Sequence, residues 1–262
     1  MTGPESNISA RRFGGIARLY GNSALQRFSQ ASVCVIGVGG VGSWAVEALA
    51  RSGIGRLQLI DMDHVAESNI NRQLPALEST LGQSKIGALA ERIAQINPDC
   101  RVELIDDFIS ADNLDDYLAP APDFVLDCID SFRTKAALIS YCKRHKIALV
   151  TTGGAGGQID PGRIRLTDLA RSQQDPLLAK TRSQLRQQYG FSRNLKKTFG
   201  VPCVWSDEPI SAPAATDDSC DLQSAVANSS LNCGGLGSSM AVTASFGLFA
   251  ASHVLNKLAA ST

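Results

Sequence analysis

The chain is 262 residues long and 44% hydrophobic, enough for one large core or one domain with an appendage. Its 25 basic and 25 acidic residues cancel, which excludes nucleic-acid binding by overall charge and leaves only local patches. The opening MTGPESNISARRF lacks an apolar h-region, and the seven cysteines show no pairing at short spacing. A reducing cytoplasm is therefore expected, not secretion or a disulfide scaffold.

Residues 33–36 read as a buried strand running into Gly37, Gly39, Gly40 and Gly42. Such a glycine-rich turn lets phosphates sit against backbone N–H groups at a helix N-terminus. An amphipathic helix with Ala45, Val46, Leu49 and Ala50 inward follows, and a second strand at 57–60 ends on Asp61. That position suits a carboxylate accepting hydrogen bonds from a ribose hydroxyl pair. To this point a dinucleotide dehydrogenase fits equally well.

The polar run Ser68-Asn69-Ile70-Asn71-Arg72-Gln73, and Lys85 at the next helix start, are not required by a nicotinamide site. Cations and amides gathered around a nucleotide suit a triphosphate, because charge builds on the α-phosphate and the leaving pyrophosphate during adenylyl transfer. Asp63 and His64 border the nucleotide or serve a turn. A helix carrying Ile86, Leu89, Ala90, Ile93 and Ile96 ends near Pro98, and a third strand covers 102–105. The fourth strand, 123–127, delivers Asp127 and then Asp130 at its carboxyl edge, where open α/β sheets bind ligands. A carboxylate facing phosphates implies a divalent cation; Asp130 is preferred as its ligand, and Asp127 fits a cofactor contact or a supporting carboxylate behind it.

A helix at 132–144 and a strand at 147–151 complete an α/β pattern, a doubly wound, mainly parallel sheet. From Gly162 the rhythm breaks into short strands (164–166, 202–205) and long polar segments. Residues 1–161 are accordingly read as an N-terminal helix with the ATP-binding half, and 162–262 as an irregular C-terminal part of the same fold. Residues 170–200 carry seven basic side chains against the single acid Asp175, a candidate RNA contact or a solvated helix face, whereas 207–221 are acidic. The run 231–255 has no Asp, Glu, Lys or Arg; its many small and polar residues point to a buried C-terminal helix, packed on the sheet or on a dimer partner, and away from a membrane span.

GxGGxG, the strand-end Asp61, N-x-N-R-Q, Lys85 and D-x-x-D occur in an order and spacing that resembles the adenylating domain of ubiquitin-activating enzymes and of the bacterial activators of molybdopterin and thiamin sulfur carriers, over residues 12–157. RRFGGIARLYG, LIDMDHV and VTTGGAGGQIDP are similar to a narrower branch, the tRNA threonylcarbamoyladenosine dehydratases. The resemblance implies ATP with Mg²⁺ as cofactors. Asp61 would hold the ribose, Asn69, Arg72 and Lys85 the phosphates, and Asp130 the Mg²⁺. It further implies threonylcarbamoyladenosine-bearing tRNA as substrate, a homodimer, a monovalent cation (Na⁺ or K⁺) at the 153–157 glycine loop, and a sulfur-transfer protein as a further partner; no DNA partner is expected. In the resembling proteins an arginine of the opening segment reaches the partner's triphosphate. Gly15 aligns there in this chain, leaving Arg12 or Arg18 for the role.

The C-x-x-C pairs of zinc-bearing relatives are missing, so a zinc knuckle is not expected. Cys233 is the candidate thiol nucleophile, with a small buried residue at a helix start as the plainer reading. Competing functions are an activator of a ubiquitin-like sulfur carrier, a nicotinamide oxidoreductase and a nucleotide-sensing module. Binding and turnover of ATP with Mg²⁺, against binding of NAD, separate them.

Overall fold

A computed structural model describes residues 5–210 and 236–261, with side chains from residue 11 onward. Cys220, Cys233 and the acids at 217, 218 and 221 lie outside the described residues.

Strands β1 (Ser32–Ile36), β2 (Arg56–Ile60), β3 (Arg101–Ile105), β4 (Phe124–Asp127), β5 (Ala148–Thr152), β6 (Ile164–Asp168) and β7 (Pro202–Ser206) form one sheet in the order β3-β2-β1-β4-β5-β7-β6. All neighbours are parallel except β6 with β7. This is the doubly wound, mainly parallel α/β sheet expected from the sequence. The central strands are covered on both faces, which is why β1 and β4 are nearly continuous apolar runs. β3, at an edge, exposes Arg101, Glu103 and Leu104.

Eight helices are described: α1 (Glu5–Tyr20), α2 (Asn22–Gln30), α3 (Gly42–Arg51), α4 (Lys85–Ile96), α5 (Leu114–Leu118), α6 (Phe132–His145), α7 (Pro176–Gln188) and α8 (Met240–Ala260). Ala45, Val46, Leu49 and Ala50 of α3 are fully buried, as the periodicity requires. One core lies between β1, β2 and helices α2, α3, α4 and α8, and the other between β1, β4 and helices α5, α6 and α7.

Within the uncharged segment residues 240–255 belong to α8, capped at its start by the Ser239 hydroxyl, which accepts from the Ala241 N–H at 3.3 Å. Val242, Phe246, Ala250 and Val254 recur every four residues and are fully buried against α3, α2 and the sheet, while Leu248 and Phe249 stay exposed. Helix α8 thus packs on the sheet, and no described helix is long and apolar enough to cross a membrane.

β6 and β7 join the same sheet, so the strand pattern after Gly162 continues the fold. Helix ends are tied by arginines. Arg27 donates to the Leu258 carbonyl at 3.1 Å at the end of α8, and Arg12 donates to the Gln95 and Ile96 carbonyls at 3.0 and 2.8 Å at the end of α4.

Candidate active site

The connections from β1 wind towards β3 on one side and from β4 towards β7 on the other, so the loops after β1 and β4 part at the switch point of the sheet. A cleft of about 710 Å³ opens there. It is lined by the 37–42 turn, by Asp61 and Asp63 after β2, by the 68–73 loop with Lys85, and by Asp130 after β4; Gly153 to Gly156 and Asp175 form another wall. The cleft is of the size that accommodates a nucleotide-scale ligand.

The turn is glycine for steric reasons. Gly37 has φ of 82°, and a side chain on Gly42 would sit 1.9 Å from the Gly37 carbonyl oxygen. Asp61 fixes this turn from the neighbouring strand: one carboxylate oxygen accepts from the Val38 N–H at 2.7 Å and the other from the Asp63 N–H at 2.9 Å. Burial pushes the Asp61 carboxyl up, against the pull of those N–H groups and the Lys85 charge. Each oxygen keeps a lone pair for a ligand hydroxyl.

Lys85 is buried at the start of α4, and its ammonium lies 2.7 Å from the Asp63 carboxylate, which is 60% exposed. Asp63 therefore steers Lys85 into the cleft. The Arg72 guanidinium donates to the Ser68 carbonyl at 2.7 Å and to the Asn71 side-chain oxygen at 2.8 Å, while its backbone carbonyl accepts from the Trp44 indole at 2.9 Å. The loop is thereby held with donors of the fork left over. Asn69 is buried and accepts from the Ala66 N–H at 3.1 Å. Gln73 is also buried, and its side-chain oxygen has no partner among the described residues, an unsatisfied polar atom beside the cleft. Asp130 is exposed on the cleft and makes no side-chain hydrogen bond among the described residues.

Asp127 requires a correction. It does not line the cleft and is fully buried behind it. One of its oxygens accepts from the Ile129 N–H at 3.0 Å; the other takes the Thr151 hydroxyl at 2.6 Å and the Lys135 ammonium at 2.9 Å. Buried away from the cleft, it offers no direct cofactor contact. What it does is hold the 128–130 loop that presents Asp130.

The structure brings Gly37, Gly39, Gly40, Gly42, Asp61, Asn69, Arg72, Gln73, Lys85 and Asp130 together, as the motif order implied. Two residues were missed. Asp175, counted only as the lone acid of a basic segment, is buried, caps α7 by accepting from the Leu178 N–H at 2.9 Å, and accepts from the Gly154 N–H at 2.9 Å. The Asp175-Pro176 pair, an N-cap before proline, was the signal for it. Lys135 sits in line with Leu138, Ile139 and Cys142 on α6, a charge in an apolar stripe.

Arg12 is engaged at the end of α4, whereas Arg18 is exposed on α1. Within 170–200, Arg182 donates to the Ser172 hydroxyl, and Arg186 donates to the Ser192 carbonyl at 3.3 Å and lies 5.1 Å from the Phe199 ring. Lys180, Arg193, Lys196 and Lys197 stay exposed. The basic run is thus partly internal scaffolding. Among the described residues no cluster of three or more His, Cys, Asp or Glu side chains forms a metal cage.

A glycine turn on a switch-point cleft, with two cations and an open carboxylate, defines a nucleotide-binding α/β protein of the adenylating type. The chain belongs to the ThiF family, whose model matches residues 14–261. Within it the chain stands with the tRNA threonylcarbamoyladenosine dehydratases. It is 53% identical over 249 residues to the one from Haemophilus influenzae, covering 95% of this chain and 93% of that relative. It is 52% identical over 257 residues to the one from Escherichia coli, covering 97% and 96%. A solved structure described as the E. coli tRNA N6-threonylcarbamoyladenosine dehydratase in complex with ATP superposes with a TM-score of 0.85 at 51% identity, covering 95% of this chain and 94% of that one.

Proposed function

We propose that this chain uses ATP to dehydrate N6-threonylcarbamoyladenosine in tRNA to a cyclic form. The observation that carries the reading is the convergence of Asp61, Arg72, Lys85 and Asp130, from separate loops, on one cleft in a chain so similar to these dehydratases. The threonyl carboxylate attacks the α-phosphorus of ATP and pyrophosphate leaves. The carbamoyl group then attacks the activated acyl carbon and AMP leaves, so the ring closes and the oxygen of the lost water departs in AMP.

The chain's own part is position and charge. Asp61 holds the ribose through its remaining lone pairs, and the N–H groups of residues 39–42, those of the turn not taken by Ile60 and Asp61, face the phosphates. Arg72 and Lys85 stabilise charge that grows on the α-phosphate and pyrophosphate, with Asn69 and Gln73 as amide partners. Mg²⁺ fits the donor set: it typically takes one or two carboxylates, phosphate oxygens and waters, and Asp130 offers a carboxylate with no protein partner among the described residues. When bound, Mg²⁺ would neutralise triphosphate charge. No enzyme thiolate is needed, and burial pushes Cys128, the cysteine that lines the cleft among the described residues, up to about 12.

The same reading includes a homodimer. Exposed Leu248 and Phe249 on α8 offer an apolar face for a second copy; of Arg12 and Arg18, Arg18 is the one not bonded to the end of α4 and so the better placed to reach across.

The test is incubation of the purified protein with ATP, Mg²⁺ and tRNA bearing threonylcarbamoyladenosine, followed by nucleoside mass analysis. The expected product is lighter by one water, with AMP and pyrophosphate released. An unchanged nucleoside, with adenylate formed instead on a ubiquitin-like carrier, would place the chain among the sulfur-carrier activators.

A further inference from the structure

Two helices begin at the rim of the cleft. Ser131 and Thr134 at the start of α6, and Pro176 and Leu177 at the start of α7, all line it. Phe132, the first residue of α6, stands beside these rim residues without lining the cleft itself; its ring is half-buried, with two cations against it. The Arg133 guanidinium is 5.1 Å and the Lys180 ammonium 5.9 Å from the ring centroid. Lys180 stands one turn along α7 from Pro176 and Leu177, hence on the face that continues the cleft wall outward.

Arg133 and Lys180 differ from the bonded cations near them, and from exposed Arg193, Lys196 and Lys197 in sharing one aromatic ring. Arg182 and Arg186 are bonded to Ser172 and Ser192, Lys143 donates to the Gly200 carbonyl at 3.2 Å, and Lys135 is buried against Asp127. Arg133 and Lys180 are exposed, and among the described residues neither forms an ion pair. The ring restricts both flexible side chains, so less rotamer freedom is lost when they meet an anion. Two pre-positioned charges at the mouth of a cleft, outside the glycine turn and the Arg72 and Lys85 pair, match an anion that stays at the rim while a base or sugar enters.

We propose that Arg133 and Lys180, pinned by Phe132, clamp a backbone phosphate of the RNA strand next to the nucleoside being modified. The clamp rests on the RNA reading given above and deepens it. It places the strand across the starts of α6 and α7, and Arg133 lies outside the basic 170–200 run. Phosphate contacts of this kind set register and leave sequence unread, so the modified nucleoside itself has to be recognised inside the cleft.

The experiment compares native full-length protein with Arg133→Gln, Lys180→Gln, the double variant and Phe132→Leu. It measures tRNA affinity at several salt concentrations, ATP affinity without tRNA, and kcat and KM for threonylcarbamoyladenosine-bearing tRNA. Each glutamine variant should weaken tRNA binding roughly tenfold, and the double variant should lower the magnitude of the slope of log affinity against log salt by about 1 to 2. The loss should fall on KM for tRNA, with ATP affinity and kcat within about twofold of native. Lys180→Arg should restore binding, because it keeps the charge, and Phe132→Leu should lie between native and double variant. Native tRNA affinity and salt slope in the double variant overturn the clamp, with native turnover showing that the dehydratase reading survives. Loss of ATP affinity equal to the loss of tRNA affinity also overturns it, by assigning the cations to the triphosphate. If the native protein itself does not convert the nucleoside, the function fails and the clamp with it.

Discussion

Lys135 and Asp127 meet 2.9 Å apart with neither side chain exposed to solvent. The Thr151 hydroxyl bridges them, accepting from Lys135 at 3.1 Å and donating to Asp127 at 2.6 Å. Two charges withdrawn from water persist only when paired and hydrogen-bonded, and removal of one partner strands the other. Lys135→Met should therefore lower unfolding free energy by about 3–5 kcal/mol in denaturant titrations. Lys135→Met combined with Asp127→Asn, which keeps an acceptor for the Ile129 N–H, should recover a good part of it. A single variant within about 0.5 kcal/mol of native would show that the pair contributes nothing.

Asp130→Asn should remove ATP turnover while leaving the melting temperature near native, because this exposed carboxylate makes no structural bond among the described residues. Lys85→Ala should slow adenylation by about 10²-fold or more if its ammonium stabilises phosphate charge. Asp63→Asn, which loosens the 2.7 Å restraint on Lys85, should give a smaller loss of the same kind. Pyrophosphate release measured at saturating Mg²⁺ decides this. Near-native turnover by Asp130→Asn would remove it from the metal site.

Gly153→Ala tests the wall of the cleft. An added side chain would lie 2.0 Å from the Asp175 carboxylate, which caps α7 and binds the Gly154 N–H. The variant should lose about 1–3 kcal/mol in stability and bind nucleotide more weakly. Calorimetry showing native melting together with native ATP affinity would contradict this.

The thiols give a pH prediction. Burial is the main cause that pushes Cys100 up to about 11 and Cys128 and Cys142 up to about 12, and it raises Cys34 and Cys203 well above the usual thiol range. A raised folded-state pKa favours the protonated thiol, so this stability is fully present below the unfolded thiol value. It is lost as pH rises from about 9 towards about 12. At pH 8 these five cysteines should alkylate at least about tenfold more slowly in the native protein than in denaturant, and Cys128→Ser should keep turnover within about tenfold. Rapid native alkylation of Cys128 that stops activity would point to a nucleophilic role.

Much of the site was legible in the chain. A turn that must pass phosphates needs Gly37 and Gly42, and a strand that ends beside it needs the carboxylate of Asp61, so local spacing reports on contacts that the βαβ unit makes obligatory. The D-x-x-D pattern after β4 could not separate its two acids. Both lie at the edge of one strand, and only the packing of α6 shows that Lys135 takes Asp127 inward and leaves Asp130 to the cleft. The 170–200 run read as one basic patch because charge counts carry no direction; folding turns Arg182 and Arg186 onto Ser172 and Ser192.

The parallel α/β alternation, the glycine turn and the order of nucleotide-handling residues were legible in the chain, because these depend on periodicity and on spacings within single βαβ units. Tertiary structure alone decided which buried charge pairs with which, that Asp175 from a later helix closes on the 153–156 loop, and that Arg133 and Lys180 come together on one ring. The contacts of Lys135 with Asp127, of the Gly154 N–H with Asp175 and of Lys180 with the Phe132 ring join residues 8, 21 and 48 positions apart, and their energies arise from desolvation and geometry that exist only once the sheet has brought the elements together.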